Sequence, residues 1–577
     1  MKYRTLLLQS LRHYFKANFW LMLGIALSTA IITGGLIVGD SVKYSLKQTT
    51  TTRLGNTTHA LVSGERYFSR DLATRLREKG VETSAALQVN SIAQTDGGEL
   101  KINKVQLWGI DENFSAFSIN SSFPGVKGTE QTCISPNLAQ RLNLAVGDEF
   151  QLRIEKVSLL PANTPFVSSE NQTVTLRVKV GNIVNAEQLG RLNLQNSQTA
   201  PYNVFLPIDE LNRVSEVENK ANVLFINTAI SKKDIEEAIR EVYSIADAGL
   251  EIVDASATSE WELRSERVFM DDAVEQLVEN TDLEYQPLLT YFANQFQANG
   301  RQTPYSFVSS LPDNTLNSNE IVVNEWLASD LKLKPGDSLT LSYYEIGPLR
   351  ELNEKSKKYI VSRIEPMNGY FADRLLMPDI PGLSDAENCR DWQTGVPINL
   401  KTIRKIDEEY WYTYKGLPKA FVSLHEAQEL WSNRFGNTTA YRFSQQNISK
   451  EELNQIVSEQ IDPFNFDIQL KDVRTNGLEA AENGTDFSSL FIGLSFFILA
   501  AGILLTILLF SFSLEKRNRE IGTLSALGFT HKKIKQLIYS EGIILSFIGA
   551  LIGIPLAIAY NELVFKALNR VWNDIVR

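Results

Sequence analysis

Three long apolar stretches dominate the hydrophobic pattern of this chain, one near its start and two near its end. They fill residues 19–39, 487–511 and 542–561 without a charged side chain. A helix of about 20 apolar residues is long enough to cross the hydrocarbon core of a bilayer. The pattern therefore predicts three transmembrane helices. The third contains a GxxxG pair, Gly549 and Gly553, which permits close packing against another helix.

The leader before the first stretch, residues 1–18, carries four basic residues and no acidic one. Five of its apolar residues fall near one helical face: Leu7, Leu8, Leu11, Tyr14 and Phe15. This pattern predicts an amphipathic helix on the cytoplasmic membrane surface. A cleaved signal peptide is the competing interpretation, but the apolar region of a signal peptide is usually only about 7–15 residues long.

Basic residues set the predicted orientation, because cytoplasmic segments of membrane proteins carry an excess of Lys and Arg. Residues 512–541 hold six basic and three acidic residues. This segment and the leader are therefore predicted to be cytoplasmic. Residues 40–486 and the tail 562–577 are predicted to lie on the other side, with most of the acidic excess behind the net charge of −11. Because three spans that start inside end outside before a short tail, we expect a fragment of a longer polypeptide.

The long middle region, residues 40–486, alternates strand-like and helix-like patterns. Its residues 174–184 predict a strand, and residues 231–246 predict a helix with Ser231 as its N-cap. The region is too long for a single small core. We predict a large mixed α/β domain, built from two subdomains.

A weak repeat supports the two subdomains. Residues 134–152 and 322–341 each read as strand, short helix, Gly-Asp turn and strand. The turn residues are Gly147-Asp148 and Gly336-Asp337. Glycine tolerates the positive φ of a tight turn, and aspartate bonds the local backbone. We interpret the repeat as a structural corner that recurs in related subdomains; a repeated ligand-binding unit is the alternative.

Candidate chemistry is sparse. The chain has no G-x-x-x-x-G-K-[ST] phosphate-binding motif and no G-x-S-x-G motif, and His425-Glu426 lacks the second histidine of a zinc-protease helix. The chain has no long basic run, so nucleic acid is not expected as a partner. The two cysteines, Cys133 and Cys389, allow one disulfide or two thiols, and we favour two thiols because a large domain does not need the cross-link. We expect no enzyme activity, metal or cofactor in this chain.

The segment between the second and third stretches is the most informative. Residues 513–542 read SLEKRNREIGTLSALGFTHKKIKQLIYSEG. The segment resembles the one after the second membrane helix of FtsX/MacB-type ABC transporter permeases, whose pattern is roughly E-(K/R)-x-x-E-I-G-x-L-x-A-L-G. Ten residues fill that pattern here: Glu515, Lys516, Arg519, Glu520, Ile521, Gly522, Leu524, Ala526, Leu527 and Gly528.

Physical chemistry gives several of these residues a role. Ile521, Leu524 and Leu527 recur at a spacing of three and form one apolar edge, which suits docking into a groove of a partner. Gly528 is predicted to end a helix in the left-handed conformation. An amphipathic element that only lies against the membrane is the alternative.

The resemblance also implies an architecture and partners. It covers the order of first helix, large external domain and further helices, and it implies a mixed α/β domain of the MacB periplasmic core type. Residues 35–55, 378–392 and 407–424 are similar to a subgroup with unusually large external domains. In that family a cytoplasmic P-loop ATPase, which binds the ATP and Mg, docks on the coupling segments of two permeases. The coupling residues implied here are Glu515, Arg519, Glu520, Ile521, Gly522, Leu524, Leu527 and Gly528. A fourth membrane helix is usual in the family, which agrees with a truncated chain.

The resemblance leads to a functional expectation. It implies a multi-pass permease of the inner (plasma) membrane, with a cytoplasmic N-terminus and with a second permease copy or a homologous half beside it. ATP hydrolysis by the separate ATPase would move the external domain, a process called mechanotransmission. The work done outside would be export, extraction of a lipoprotein or lipid, or activation of a hydrolase through a periplasmic partner. A membrane-anchored sensor or adhesion protein without an ATPase is the alternative.

Overall fold

The computed structural model of the chain describes residues 3–64, 66–161, 164, 173–197, 199–311, 316–347, 351–380, 382–384, 386–392, 395–483 and 487–571. Some helical side chains are also outside the described part, most of them within residues 483–509 and 564–571. The chain divides into two compact units. The first unit comprises Met1–Leu54, Asn193–Thr199 and Val473–Arg577, and the second comprises Gly55–Leu192 and Ala200–Asp472.

The described residues form fifteen α-helices. In chain order they are α1 (Tyr3–His13), α2 (Phe15–Leu54), α3 (Asp71–Glu78), α4 (Pro136–Leu142), α5 (Ile208–Val214), α6 (Lys232–Val242), α7 (Asp272–Glu279), α8 (Glu325–Leu331), α9 (Lys405–Tyr414), α10 (Leu424–Trp431), α11 (Lys450–Gln460), α12 (Val473–Asn483), α13 (Phe487–Lys516), α14 (Asn518–Ala526) and α15 (His531–Val571). Short 3₁₀ turns lie at Glu112–Phe117, Ile119–Ser121, Gly369–Ala372, Arg374–Leu376, Cys389–Asp391, Leu400–Thr402 and Pro463–Asn465.

The same residues form twenty-one strands, all of them in the second unit. They are β1 (His59–Ser63), β2 (Phe68–Ser69), β3 (Glu82–Thr95), β4 (Lys101–Ile110), β5 (Thr132–Ile134), β6 (Glu149–Glu155), β7 (Thr173–Ile183), β8 (Tyr202–Pro207), β9 (Lys220–Ala221), β10 (Val223–Asn227), β11 (Leu250–Ala255), β12 (Glu260–Ser265), β13 (Gln286–Leu288), β14 (Thr290–Ala298), β15 (Arg301–Leu311), β16 (Glu320–Asn324), β17 (Ser338–Ile346), β18 (Leu352–Glu365), β19 (Ala420–Ser423), β20 (Ala440–Ser444) and β21 (Ile468–Lys471). The prediction of a mixed α/β region is confirmed.

The first unit is helical and contains α1, α2 and α12 to α15. Helix α2 packs against both α13 and α15. By length and composition alone, two segments of the described part are candidates for crossing a membrane, Phe15–Leu54 and His531–Leu563. The second predicted span falls on α13, where many side chains lie outside the described residues. The first apolar stretch is part of a longer helix, because α2 continues to Leu54.

The second unit contains two six-stranded barrels with the same strand order. The first barrel is the ring β3-β4-β8-β5-β7-β6, which the β3–β6 pairing closes. The second barrel is the ring β14-β15-β19-β16-β18-β17. In the first ring β4 is parallel to β8 and β5 is parallel to β7. In the second ring, at the same places in the order, β15 is parallel to β19 and β16 is parallel to β18. The remaining pairs are antiparallel. The repeat that the sequence indicated over about 20 residues therefore extends to a whole barrel.

The predicted Gly-Asp corner occurs in both barrels with the same hydrogen bonds. Gly147 and Gly336 have φ of 101° and 92°, in the region that favours glycine. Their backbone N–H groups donate to Val180 and Val361 at 2.8 Å in both cases. The aspartate that follows each glycine accepts from a backbone N–H three residues earlier, also at 2.8 Å in both. The corner is thus a structural element, which supports the interpretation as related subdomains.

Each barrel is attached to a four-stranded layer, and the two layers exchange one strand. The orders are β21-β1-β10-β3 beside the first barrel and β11-β12-β20-β13 beside the second. Strand β11 follows β10 and α6 in sequence but pairs with β12. In the same way β21 follows β20 and α11 but pairs with β1. Each half of the second unit therefore completes the layer of the other half.

Three predictions for this unit are confirmed. Ser231 caps α6, because its side chain accepts from the backbone N–H of Asp234. The predicted strand at 174–184 corresponds to β7. Cys133 and Cys389 are both buried free thiols, as favoured from the sequence.

Candidate partner-docking site

The candidate site is a short helical element of the first unit that connects α13 to α15. Helix α13 ends at Lys516, and α14 follows after Arg517 alone. Helix α14 ends in a glycine turn in which Phe529 N–H donates to Leu524 C=O at 3.1 Å and Gly528 N–H donates to Ser525 C=O at 3.1 Å. Gly528 has φ of 88°. These two bonds with a left-handed glycine form a Schellman motif, and Gly528 therefore ends α14 as predicted.

The tip of this element presents apolar side chains to the outside. Leu527 is 71% exposed and Phe529 is 37% exposed, whereas Ile521 and Leu524 are half-buried. The predicted apolar edge is therefore most accessible at its C-terminal end. Phe529 was missing from the sequence-based site, although a large apolar residue directly after a helix-ending glycine was a usable signal. Large apolar side chains at an exposed tip are suited to a groove in a partner.

The polar members of the predicted site differ in their surroundings. Glu515, Arg519 and Gly522 are exposed. Glu520 is instead half-buried, and its Oε2 accepts from Arg517 Nε at 2.9 Å. Glu520 thus fixes α14 to its own chain, while the exposed residues remain available to a partner.

Arg517 is the centre of the element and was not singled out from the sequence. It is only 5% exposed, and its Nη1 and Nη2 donate to Glu541 on α15 at 2.5 and 3.3 Å. Nη2 also donates to Ser10 on α1 at 2.5 Å. The guanidinium carbon lies 4.3 Å from the centre of the Tyr14 ring, a cation–π distance. One side chain thereby joins α1, α14 and α15.

The electrostatics of this cluster favour the charged form of the arginine. Burial lowers the pKa of Arg517, but the hydrogen bonds and negative charges of Glu541 and Glu520 outweigh burial and raise the pKa above its usual value. Removing either carboxylate would leave a less compensated buried charge. The cluster is therefore built to hold the helices in one arrangement.

The structure places Gly549 and Gly553 of α15 directly against α2. A Cβ atom at Gly549 would lie 3.0 Å from Ile25 Cβ, and one at Gly553 would lie 2.7 Å from the carbonyl oxygen of Ala26. These distances leave no room for a side chain, so the two helices approach closely at this pair.

Among the residues that the structure describes, no group of three His, Cys, Asp or Glu side chains could hold a metal ion. The arrangement combines an exposed apolar tip, which suits a groove in a partner, with a buried Arg517 cluster that joins α1, α14 and α15.

Comparison with known proteins identifies two regions of the chain. Residues 19–245 match a family described as MacB-like periplasmic core domain. Residues 492–576, which include the candidate site, match a family described as FtsX-like permease C-terminal. No curated protein matches the chain.

Two solved structures are similar to parts of the chain. The periplasmic region of MacB from Actinobacillus actinomycetemcomitans is 10% identical, with a TM-score of 0.22, over 40% of this chain and 96% of that one. The extracellular domain of the noncanonic ABC-type transporter YknZ from Gram-positive bacteria is 14% identical, with a TM-score of 0.20, over 32% of this chain and 88% of that one.

Proposed function

Because this chain belongs to the FtsX/MacB-type permease family, we propose that it is the membrane subunit of an ABC transporter. In this proposal a separate cytoplasmic ATPase docks on the tip formed by Leu527, Gly528 and Phe529. The ATPase binds the ATP and Mg, and this chain contributes no catalytic group. Closure of the ATPase then moves the helices of the first unit and, through them, the α/β domain outside the membrane.

The single observation that carries this proposal is the combination of an exposed apolar tip with a buried anchor. The tip offers Leu527 to a partner at 71% exposure. Ten residues before Leu527, Arg517 connects α14 to α1 and α15 by hydrogen bonds of 2.5–3.3 Å. A force applied at the tip would therefore act on α1, α14 and α15 together. A ligand can shift a conformation only through contacts that differ between states, so the ATPase must bind the tip differently in the two arrangements of these helices.

The membrane placement is part of the proposal. The leader 1–18 and the segment 512–541 lie in the cytoplasm, in agreement with their basic excess. Residues 19–39, 487–511 and 542–561 cross the inner (plasma) membrane, and residues 40–486 lie outside it. A second permease copy or a homologous half completes the transporter. The external work is export, extraction of a lipoprotein or lipid, or activation of a hydrolase.

Affinity purification of the full chain from mild-detergent membranes, followed by mass spectrometry, tests the docking. We expect a P-loop ATPase in about equal amount with the native chain and its loss with Leu527→Glu. Leu527→Glu is a sharper probe than Glu520→Lys, because Glu520 binds Arg517 within the chain. The matched control is Leu100→Glu, which introduces the same change at an exposed leucine of the second unit.

The results separate the two functional classes. Loss of the ATPase in Leu527→Glu but not in Leu100→Glu would support a permease that docks through this tip. Retention of the ATPase in both variants would mean that the ATPase docks on another surface of the chain. A preparation without any ATPase, under conditions that preserve a known transporter complex, would favour a membrane-anchored sensor or adhesion protein.

A further inference from the structure

A small cavity in the second barrel contains a buried lysine at a position where the first barrel has an asparagine. Lys419 is 2% exposed and immediately precedes β19. Its backbone C=O accepts from Asn324 N–H at 3.0 Å, just as Asn203 C=O accepts from Ser135 N–H at 3.0 Å in the first barrel. Asn203 immediately precedes Val204 in the equivalent strand, β8. The two barrels therefore provide a comparison of one position within one chain.

The polar group at this position is satisfied in the first barrel only. The Asn203 side chain accepts from Trp108 Nε1 at 3.3 Å and donates to Gly190 and Leu192 at 3.2 and 3.0 Å. In the described part of the chain the Lys419 ammonium has no such hydrogen bond or ion pair. It lies over the rings of Trp326 and Tyr410, at 4.1 and 4.4 Å from their centres. Ring faces attract a cation but do not replace the acceptors that a buried ammonium needs.

A second unsatisfied donor lines the same cavity. Trp392 is one of its lining residues, and its indole N–H is buried without an acceptor among the residues described. An indole N–H can only donate. Two residues that line the cavity thus carry a donor without an acceptor among the residues described, whereas its one acidic lining residue, Asp407, already accepts three hydrogen bonds from Arg404.

The charge and the size of the cavity define the ligand. Its charged lining residues are Lys415, Lys419 and Asp407, so the positive charge is in excess. The cavity has a volume of about 20 Å³, more than the roughly 10–15 Å³ that one water molecule needs, so a single ion somewhat larger than water can enter it. We propose that this cavity binds a small monovalent anion the size of chloride, with the Lys419 ammonium and the Trp392 indole N–H as its donors.

Anion binding at this site depends on the protonation of Lys419. Burial lowers the lysine pKa to about 8, against the opposing effect of Asp407 and Asp330. Arg404 acts in the same direction as burial, and the Cys389 thiol is the other titratable group near the ammonium. Because only the charged lysine holds the anion, the affinity for chloride should be constant at lower pH and should fall up to about tenfold per pH unit above the lysine pKa.

The test uses the purified full chain in mild detergent. Its thermal unfolding is followed while chloride replaces gluconate at constant ionic strength. We expect a saturable rise in the unfolding temperature. Lys419→Asn, which introduces the residue of the first barrel, should weaken chloride binding by about tenfold or more, since it removes a charged donor. Trp392→Phe should weaken it by about two- to tenfold, since it removes a neutral donor. Lys405→Met is the control and should leave the affinity unchanged, because the Lys405 side chain is 88% exposed and does not line the cavity.

Bromide locates the site directly. Crystals of the full chain grown in bromide should give an anomalous peak at the bromine edge beside Lys419, which keeps the proposal testable if Lys419→Asn does not fold. Equal stability in chloride and gluconate, an unchanged chloride effect in Lys419→Asn and Trp392→Phe, or a cavity without a bromine peak would each overturn it. A loss in Lys405→Met as large as in Lys419→Asn would also overturn it, since general positive charge would then explain the effect.

Discussion

The replacement of Arg517 by methionine would test the buried cluster that holds the docking element. In the native chain the guanidinium donates to both carboxylate oxygens of Glu541 at 2.5 and 3.3 Å, and Glu541 is only 3% exposed. Methionine preserves an unbranched apolar side chain but leaves this carboxylate buried without the arginine. Breaking a buried ion pair by removing one partner costs about 3–5 kcal/mol. We expect a loss of that size in the free energy of unfolding of the first unit.

A double-mutant cycle isolates the pair. Arg517→Met, Glu541→Met and the double variant are unfolded in mixed micelles with increasing SDS, and helical circular dichroism is recorded. Because a buried pair replaced by apolar residues is often close to neutral, the double variant should be more stable than Arg517→Met by at least about 1 kcal/mol. Arg519→Met, at the exposed neighbouring arginine, should change stability by no more than about 0.5 kcal/mol.

Additive effects within about 0.5 kcal/mol would refute this reasoning, since residues that share a buried network are expected to couple. A native-like stability of Arg517→Met would refute it more simply. In that case the element would be held by its apolar contacts, and the charges would be incidental.

Two further predictions concern the second unit. Gly147→Ala and Gly336→Ala should each cost about 1–2 kcal/mol in chemical unfolding, and by equal amounts, because no atom lies within 4 Å of either added Cβ and backbone strain alone acts. Unequal costs would contradict the equivalence of the two corners. Burial raises the pKa of Asp330, but hydrogen bonds from Arg404 and Thr303 outweigh it and hold the pKa below its usual value. That stabilisation is present above the unfolded pKa of about 3.9 and is lost as pH falls through the folded pKa. The stability advantage of the native chain over Asp330→Asn should therefore shrink from about pH 5 downward; an advantage constant with pH would contradict the assignment.

The sequence predicted the local features of this protein better than the distant ones. Gly528, Ser231 and the Gly-Asp corners depend on residues within a few positions, and the structure confirms all of them. The role of Arg517 was not visible, because its partners Glu541 and Ser10 are 24 and 507 positions away. Glu520 illustrates the same limit. Its position in a family pattern indicated a coupling residue, which stays a prediction, but the sequence did not show that its half-buried carboxylate accepts a hydrogen bond from Arg517.

The barrels illustrate a second limit. A repeat of about 20 residues was recognisable because turns require particular residues such as glycine. The remaining strands of each barrel pair over long distances, and their alternating patterns do not specify a neighbour. The sequence therefore did not single out Lys419, and only the comparison with Asn203 in the other barrel distinguishes it.

The exchange of β11 and β21 has a consequence for the order in which the protein folds. Strand β1 needs β21, and the register pairs Ala60 with Lys471, which lie about 400 residues apart in the chain. At a synthesis rate of about 5–20 residues per second, roughly 20–80 s pass between the emergence of the two strands. The N-terminal half must wait for that time with an open sheet edge, which is prone to aggregation. Such a high contact order predicts slow folding and a need for a chaperone that protects this edge until the last strand arrives.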